Sequence, residues 1–445
     1  MAILVRSLEK FLYLRANAGI IPVIAETPKP REIAAQFSIL EEMLVDRVAG
    51  IVGVGQMVNQ LIKTRLMRVT DFIPTRIITK LNMVSLPLTS DLLEDLRMRR
   101  DVVKIYPDKL VQTLEHPIVP PEGVYTYMEK SRERQFTSTY WTSKILGAHE
   151  AWNKGVNGTG VKIAVIDTTA FPVHESISGA VWDTVYPGIF TDQNGHGVWV
   201  AAAAAGKPMT IQNIQTGGVA PNAQLITIKA LGFIMGFGTS SAIVDAISRA
   251  VFTHHAKIVN MSLGSSEAPE KPEDDAEVRV VESLSKQGVV FCVAAGNDGD
   301  VATINSPGIA ESAITVGSYN PITGELSPFS SQGPTKDGRI KPDVTAPGQD
   351  IIGPTVGLLD FSTHPKPFLR AGGLSGTSMS TPAVAGMTAL FVQSGASYGL
   401  NVDANMIKEM MKTYGEYPYE LKNNQFGWGV PTWSKWKKYM AEKIG

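Results

Sequence analysis

Two runs of apolar, β-branched residues stand out in the pattern of polar and apolar positions. Residues 161–166 are apolar except for Lys162 and follow the turn formers Gly158-Thr159-Gly160. Residues 289–295 are apolar throughout and end at Gly296 and Asn297. A short run of this kind, bounded by turn residues, predicts a strand buried on both faces, as in a parallel sheet. Two further segments predict buried helices. Val198-Trp199-Val200 leads into the alanines 201–205 and stops at Gly206. Alanine is the strongest helix former, and its small side chain lets a helix press close on a sheet. Residues 383–392 are almost wholly apolar and follow the cap formers Thr377, Ser378, Ser380 and Thr381, with Pro382 suited to a first turn.

A different pattern precedes these elements. Residues 20–25 read as a strand and 30–45 as an amphipathic helix. Residues 78–86 read as a strand, 90–97 as a helix opened by Ser90-Asp91, and 102–105 as a strand. An order of this kind, strands mixed with helices, suits a small ferredoxin-like α+β domain. The pattern does not place residues 46–77. Beyond Val111 come Pro117, Pro120, Pro121 and Gly123, then the charged residues 129–134, which read as an exposed linker. Near the end, Trp433, Trp436 and Tyr439 alternate with Lys435, Lys437 and Lys438. This predicts a terminal helix docking its aromatic face on the core, rather than a membrane or nucleic-acid patch.

The candidate chemistry sits at the edges of these elements. Asp167 follows the first strand, where open α/β sheets place their ligands. His196 stands between Gly195 and Gly197 at the entry of the alanine helix. Ser378 lies at the start of the apolar helix, beside backbone N–H groups and the positive end of the helix dipole. Asn297 ends the second strand and offers an N–H₂ donor of the kind an oxyanion needs. Each has a bland reading alone: a polar strand end, a satisfied histidine, an ordinary helix cap. Together, an acid, an imidazole and a hydroxyl are the parts that make serine a nucleophile at neutral pH.

With its Asp…His…Ser order, the chain resembles the subtilisin-like serine proteases, or subtilases. The resemblance runs from about Ala148 to the C-terminus. It is carried by the strand ending in Asp167, the Gly-His-Gly at 195–197, Gly218-Val219-Ala220-Pro221 and Asn260-Met261-Ser262-Leu263-Gly264. It continues through Ala294-Ala295-Gly296-Asn297, Phe329-Ser330-Ser331-Gln332-Gly333-Pro334, Lys341-Pro342-Asp343, Ala346-Pro347-Gly348 and Gly376-Thr377-Ser378-Met379. The resemblance implies an α/β, three-layer fold around a mostly parallel sheet. It implies that Asp167 orients the histidine, His196 is general base, Ser378 is nucleophile and Asn297 is the oxyanion donor. Extended substrate would pair with strands at Leu231-Gly232 and Ser262-Leu263-Gly264. The primary pocket would be walled by Ser262–Gly264 and Ala295-Gly296, with Asn305 near its floor, and would favour apolar or uncharged side chains. The chain departs from the family pattern at Thr169, Val198, Trp199, Ser265, Ser380 and Ala383.

The same resemblance implies a zymogen. Residues 1–114 would be a propeptide that assists folding and inhibits, 115–140 a linker and N-terminal extension, and 141–445 the catalytic domain. Self-cleavage is expected between Leu114 and Glu115, with Leu114 in the primary pocket and Val111 in a second apolar pocket near Ile234 and Met235. Structural Ca²⁺ is implied by the family alone, with Asp192, Asp274, Asp275, Asp298 and Asp300 as available carboxylates and no EF-hand loop. Catalysis needs no cofactor. Expected partners are protein or peptide substrates and the chain's own propeptide, with the enzyme a monomer. The alternative is a catalytically inactive subtilase-fold binding protein, motivated by the altered residues around Asp167 and His196. A dinucleotide-binding reading fails because Thr168-Thr169-Ala170 supplies no glycine-rich loop.

At 445 residues the chain exceeds one typical domain. With 44% apolar and 19% charged residues it has the composition of a folded globular protein, and its net charge of −1 gives no footprint for nucleic acid. The single cysteine, Cys292, excludes an internal disulfide. No apolar run is long enough to span a membrane. Arg6, Glu9, Lys10 and Arg15 interrupt the leading residues, so no standard secretory signal is legible and the compartment stays open between cytoplasm, non-classical export and secretion. Residues 50–55 lack the Lys-Ser/Thr of a phosphate loop. His254 and His255 make a poor metal pair, because neighbours on a helix point about 100° apart, and read instead as helix C-terminal charges.

Overall fold

The computed structural model describes residues 21–37, 76–88, 90–114, 116–117, 137–169, 171–186, 191–211, 213–232, 236–356, 371–415 and 422–444. Residues 50–55, most of 46–77, the second half of the 30–45 helix and residues 118–136 lie outside this set. The chain forms two compact units, one of residues 1–110 with 238–248, the other of residues 111–237 with 249–445.

The first unit has an antiparallel sheet in the order Arg76–Ile78, Met83–Leu88, Ile21–Glu26, Lys104–Pro107. With helices Pro30–Phe37 and Ser90–Arg97 between strands, this is the ferredoxin-like arrangement expected from the sequence. Val23, Ala25, Ile33, Val84, Leu86, Leu88 and Leu96 form its core. Two details differ from the sequence reading. Residues 78–86 are not one strand but a hairpin, broken by a single turn of 3₁₀-helix whose cap, Asn82, takes φ +54°. Asparagine tolerates that left-handed conformation, which apolar periodicity does not register. The last strand runs over Lys104–Pro107, two residues later than expected. This unit also takes in helix Ser240–Ser248, whose start is held by Asp108. That carboxylate accepts from Ser241 N at 2.9 Å and from Ser85 Oγ at 3.0 Å.

The second unit is built on a seven-stranded, all-parallel sheet. Its order is Val344–Pro347, Ile314–Tyr319, Val290–Ala294, Ile258–Met261, Lys162–Asp167, Gln224–Lys229, Val181–Thr184. The run 161–166 forms the Asp167 strand and the run 289–295 the strand leading to Asn297, both buried as their composition requires. The helices His196–Ala205 and Thr377–Ala396 pack on each other and on the sheet. The small residues Ala201–Ala205 are all buried there, which is what permits the close approach. The result is a three-layer α/β fold.

The terminal helix Trp433–Ile444 docks by its aromatic face, as its pattern implied. Trp436 stacks on Phe391 with ring centroids 4.8 Å apart, and Trp433, Trp436 and Tyr439 are buried. His254 follows the helical turn Arg249–Thr253, and its Nε2 pairs with Asp183 Oδ2 at 2.9 Å on the edge strand. No described helix is long and apolar enough to cross a membrane.

Candidate active site

The Asp167 strand lies between its two sequence-later neighbours, Gln224–Lys229 and Ile258–Met261. At such a switch point the connections leave in opposite directions and open a crevice at the strands' carboxyl ends. Asp167 is the last residue of its strand, His196 the first of its helix, and Ser378 lies in the first turn of helix Thr377–Ala396. All three side chains are buried.

Asp167 Oδ1 accepts from His196 Nδ1 at 2.7 Å and from Thr168 N at 2.7 Å. A carboxylate can only accept, so Nδ1 carries the proton and Nε2 of the neutral ring is the basic nitrogen. Ser378 Oγ donates to the Ser262 carbonyl at 2.9 Å and accepts from Leu114 N at 3.2 Å. Ser262 Oγ donates back to the Ser378 carbonyl at 3.0 Å, tying the backbone at Ser378 to the neighbouring strand end.

Asn297 is oriented from one side only. Its Oδ1 accepts from Thr377 N and from Thr377 Oγ1, each at 2.9 Å. Its Nδ2 is buried and has no hydrogen-bond partner among the described residues. An unmatched buried donor costs about 1–3 kcal/mol, which a site accepts when a ligand is to supply the acceptor.

One of the two expected substrate strands, Leu263-Gly264, holds a segment of the same chain, whereas no pairing of that segment with Leu231-Gly232 is seen among the described residues. Leu263 pairs with Thr113 and Gly264 with Gln112, antiparallel, and Thr113 N donates to the Gly236 carbonyl at 3.1 Å. Leu114 is buried, and its Cδ1 packs so close to Gly264 that any side chain at 264 would crowd it. Asn305 lines the same spot, its Cβ as near to Gly264 as the leucine methyl is. Gly296 N donates to Thr377 Oγ1 at 3.2 Å, which holds the wall segment beside Asn297. Leu231 N donates to the Asp167 carbonyl at 3.1 Å, and Gly232 bridges to Phe237, so this segment, which follows strand Gln224–Lys229 and is not itself a strand, buttresses the acid. Glu115, Ile234 and Met235 lie outside the described residues.

Several features were not legible beforehand. Asp298 Oδ2 accepts from Asn305 Nδ2 at 2.9 Å, so an acid does stand behind the Asn305 position. Thr377 read only as a helix cap, yet it orients Asn297. Trp199 directs its indole N–H to the Gly372 carbonyl at 3.3 Å and belongs to the main core. Ser265 bridges to Ser306 across the pocket segments.

Subtilases commonly bind Ca²⁺. Among the described residues no group of three or more His, Cys, Asp or Glu is arranged to hold a metal ion. Asp192 accepts from Thr168 Oγ1 and from the N–H groups of Asn194, Gly195 and Val198. Asp275 caps helix Ala276–Ser285 and accepts from Ser306 Oγ at 2.5 Å. These two carboxylates are already committed and do not fit a cation.

The sheet, the histidine–aspartate pair and the serine at a helix start are arranged as in the subtilisin-like family. The chain belongs to the subtilase family, whose model matches residues 158–429. It is similar to serine protease AprX of Bacillus subtilis (strain 168), with 34% identity over 296 residues, 62% of this chain and 65% of that protein. It is also similar to the major intracellular serine protease of the same strain, with 34% identity over 260 residues, 56% of this chain and 73% of that protein. The minor extracellular protease Epr shares 30% identity over 291 residues, 65% of this chain and 40% of that protein. The aligned segment thus spans less than two thirds of AprX and of Epr.

Proposed function

We propose that this chain is a serine endopeptidase made as a self-processing zymogen, with Ser378, His196 and Asp167 acting as one unit. The observation that carries the reading is the seat of residues 111–114. They pair with Leu263-Gly264 as an extended substrate would, and Leu114 N lies 3.2 Å from Ser378 Oγ.

The chemistry follows from the geometry. The Ser378 hydroxyl turns from the Ser262 carbonyl to His196 Nε2, which takes its proton as Oγ attacks the carbonyl carbon of the bound residue. Asp167 holds the ring by Nδ1–H and stabilises the imidazolium. The carbonyl oxygen becomes an oxyanion that Asn297 Nδ2 meets. Collapse breaks the C–N bond, His196 gives its proton to the leaving amine, and an acyl-serine remains. Water, deprotonated by His196, then hydrolyses the ester and restores the hydroxyl.

In the chain's own maturation the acyl residue is Leu114 and the leaving amine belongs to Glu115. Residues 1–114 then remain as an inhibitor, because the cleaved strand keeps its pairing. The substrates afterwards are proteins or peptides with an uncharged residue before the cut.

Purified wild-type chain and Ser378→Ala should be compared by intact mass, N-terminal sequencing at an early time point and labelling with a fluorophosphonate. Processing and labelling only in the wild type are expected. Processing at a normal rate in Ser378→Ala, with no other protease present, overturns the assignment. A wild type that neither labels nor cleaves leaves the binding-protein reading instead.

A further inference from the structure

One buried ionisable group beside the site has no part in the steps above. Lys229 is fully buried at the end of strand Gln224–Lys229, in register with Asp167. Its Nζ donates to the Thr168 carbonyl at 2.5 Å. Thr168 follows the acid in sequence and reaches the histidine's helix through its hydroxyl. Thr168 Oγ1 accepts from Gly197 N at 2.8 Å and donates to Asp192 Oδ1 at 3.0 Å. Asp192 also accepts from Gly195 N at 2.8 Å and Val198 N at 3.0 Å. The approach is close: a Cβ on Gly197 would lie 2.5 Å from Thr169 N.

The first turn of the His196 helix is therefore fastened to the strand end carrying Asp167 through Thr168, and Lys229 pins Thr168 from the other side. We propose that Lys229 is a positioning residue for the Asp167–His196 pair, its buried ammonium fixing Thr168 and balancing the charges of Asp167 and Asp192. The proposal rests on the catalytic reading of that pair.

The charge count supports it. Two buried carboxylates and one ammonium leave a single net negative charge around a neutral imidazole, which formation of the imidazolium cancels. Without the ammonium the charges of Asp167 and Asp192 would be uncompensated and would raise the ring's affinity for a proton, narrowing the pH range in which it acts as a base. Burial lowers the affinity of Lys229 for its proton, and Asp192 and then Asp167 oppose that effect. The other neighbouring strand presents Thr184 opposite Lys229, while its Asp183 is engaged by Arg249 and His254. Tyr186 donates to the Ala230 carbonyl.

The test uses two substitutions that change the charge in opposite senses in the full chain: Lys229→Met and Asp192→Asn. In matured enzyme the acid limb of kcat/KM on an uncharged peptide should move up by about one pH unit for Lys229→Met, a tenfold loss below the limb. It should move down in Asp192→Asn. A general loss of packing would lower both variants without moving their limbs apart. ¹⁵N NMR titration of His196 in a Ser378→Ala background reads the same shifts without activity. Thermal unfolding identifies folded variants, and Lys229→Gln replaces Lys229→Met if the latter does not fold. Limbs that stay put, or move in the same direction, overturn the proposal. An inactive wild type whose His196 still titrates with these shifts would sink the catalytic reading and leave the electrostatic role standing.

Discussion

Thr377 Oγ1 donates to Asn297 Oδ1 at 2.9 Å, and so leaves the asparagine's other end, Nδ2, a buried donor without a partner among the described residues. The residue before Ser378 thereby sets the aim of the candidate oxyanion donor at the end of a different strand. Asn297→Ala should lower kcat by about 10²–10³, ~2.7–4 kcal/mol, the magnitude found for loss of one oxyanion donor in subtilisin, with KM little changed. Thr377→Val keeps the volume but removes the hydroxyl, and should cost about tenfold in kcat, while Thr377→Ser should retain most activity. Steady-state kinetics on one peptide substrate checks all three, and an unchanged kcat in Asn297→Ala would place the donor elsewhere.

What the sequence disclosed and what it withheld have separate physical causes. The runs at 161–166 and 289–295 were legible because strands buried on both faces need continuous apolar character. Asp167, His196, Asn297 and Ser378 were legible as candidates because each stands at the edge of a buried strand or helix. Lys229 was not, since a lysine closing a β-branched strand reads as an exposed end, and only the register with Asp167 shows it to be buried. Trp199 stands out in the sequence only as a departure from the family pattern, yet its indole N–H reaches Gly372, a residue 173 positions away in sequence. Asn305 and Asp298 are close in sequence, but their hydrogen bond depends on how the loop between them folds back. Contacts of this kind carry no periodicity.

A second prediction concerns stability. Asp343 is a buried carboxylate that accepts from Lys341 Nζ at 2.5 Å, Lys422 Nζ at 2.7 Å and Thr315 N at 3.0 Å, with Lys408 Nζ at 3.5 Å. Burial works against its charge, but the lysines outweigh it and hold the carboxyl well below the usual carboxylate range. The folded state therefore binds this proton less readily than the unfolded chain. The stabilisation is complete above about pH 4 and is lost as pH falls below it. Asp343→Asn would leave buried ammonium without its counter-charge and should cost about 3–5 kcal/mol. Thermal unfolding at pH 7 and pH 3 checks the sign: the gap between wild type and variant should narrow in acid.

Maturation gives a third. Leu114 is packed at Gly264 beside Asn305, an uncharged environment except for the Asp298 carboxylate behind the amide. Leu114→Asp would bring a second carboxylate toward that one and desolvate it. Processing should slow by at least tenfold, read by mass spectrometry at early times, whereas Leu114→Met should mature at close to the normal rate. Normal maturation of Leu114→Asp at the same bond would remove Leu114 from the pocket.

The Asn305–Asp298 bond bears on substrate choice. Asn305 Nδ2 donates to Asp298 Oδ2 at 2.9 Å, so one carboxylate oxygen is occupied by the amide rather than turned to the pocket. A lysine or arginine entering there would find the Asn305 side chain first, and burying its charge without a partner is costly. The wild-type enzyme should therefore cut after Leu, Met or Phe in preference to Arg or Lys in a peptide library. Asn305→Ala removes the amide, frees the carboxylate and enlarges the floor. Cleavage after Arg or Lys should then rise relative to Leu by about tenfold, close to what one charge-assisted hydrogen bond contributes. Asp298→Asn in the same background should abolish that gain, because the attraction comes from the carboxylate and not from the added space. A wild-type profile already dominated by basic residues would mean that Asp298 reaches the substrate despite Asn305. An Asn305→Ala profile that gains only larger apolar residues would mean that volume alone sets the preference.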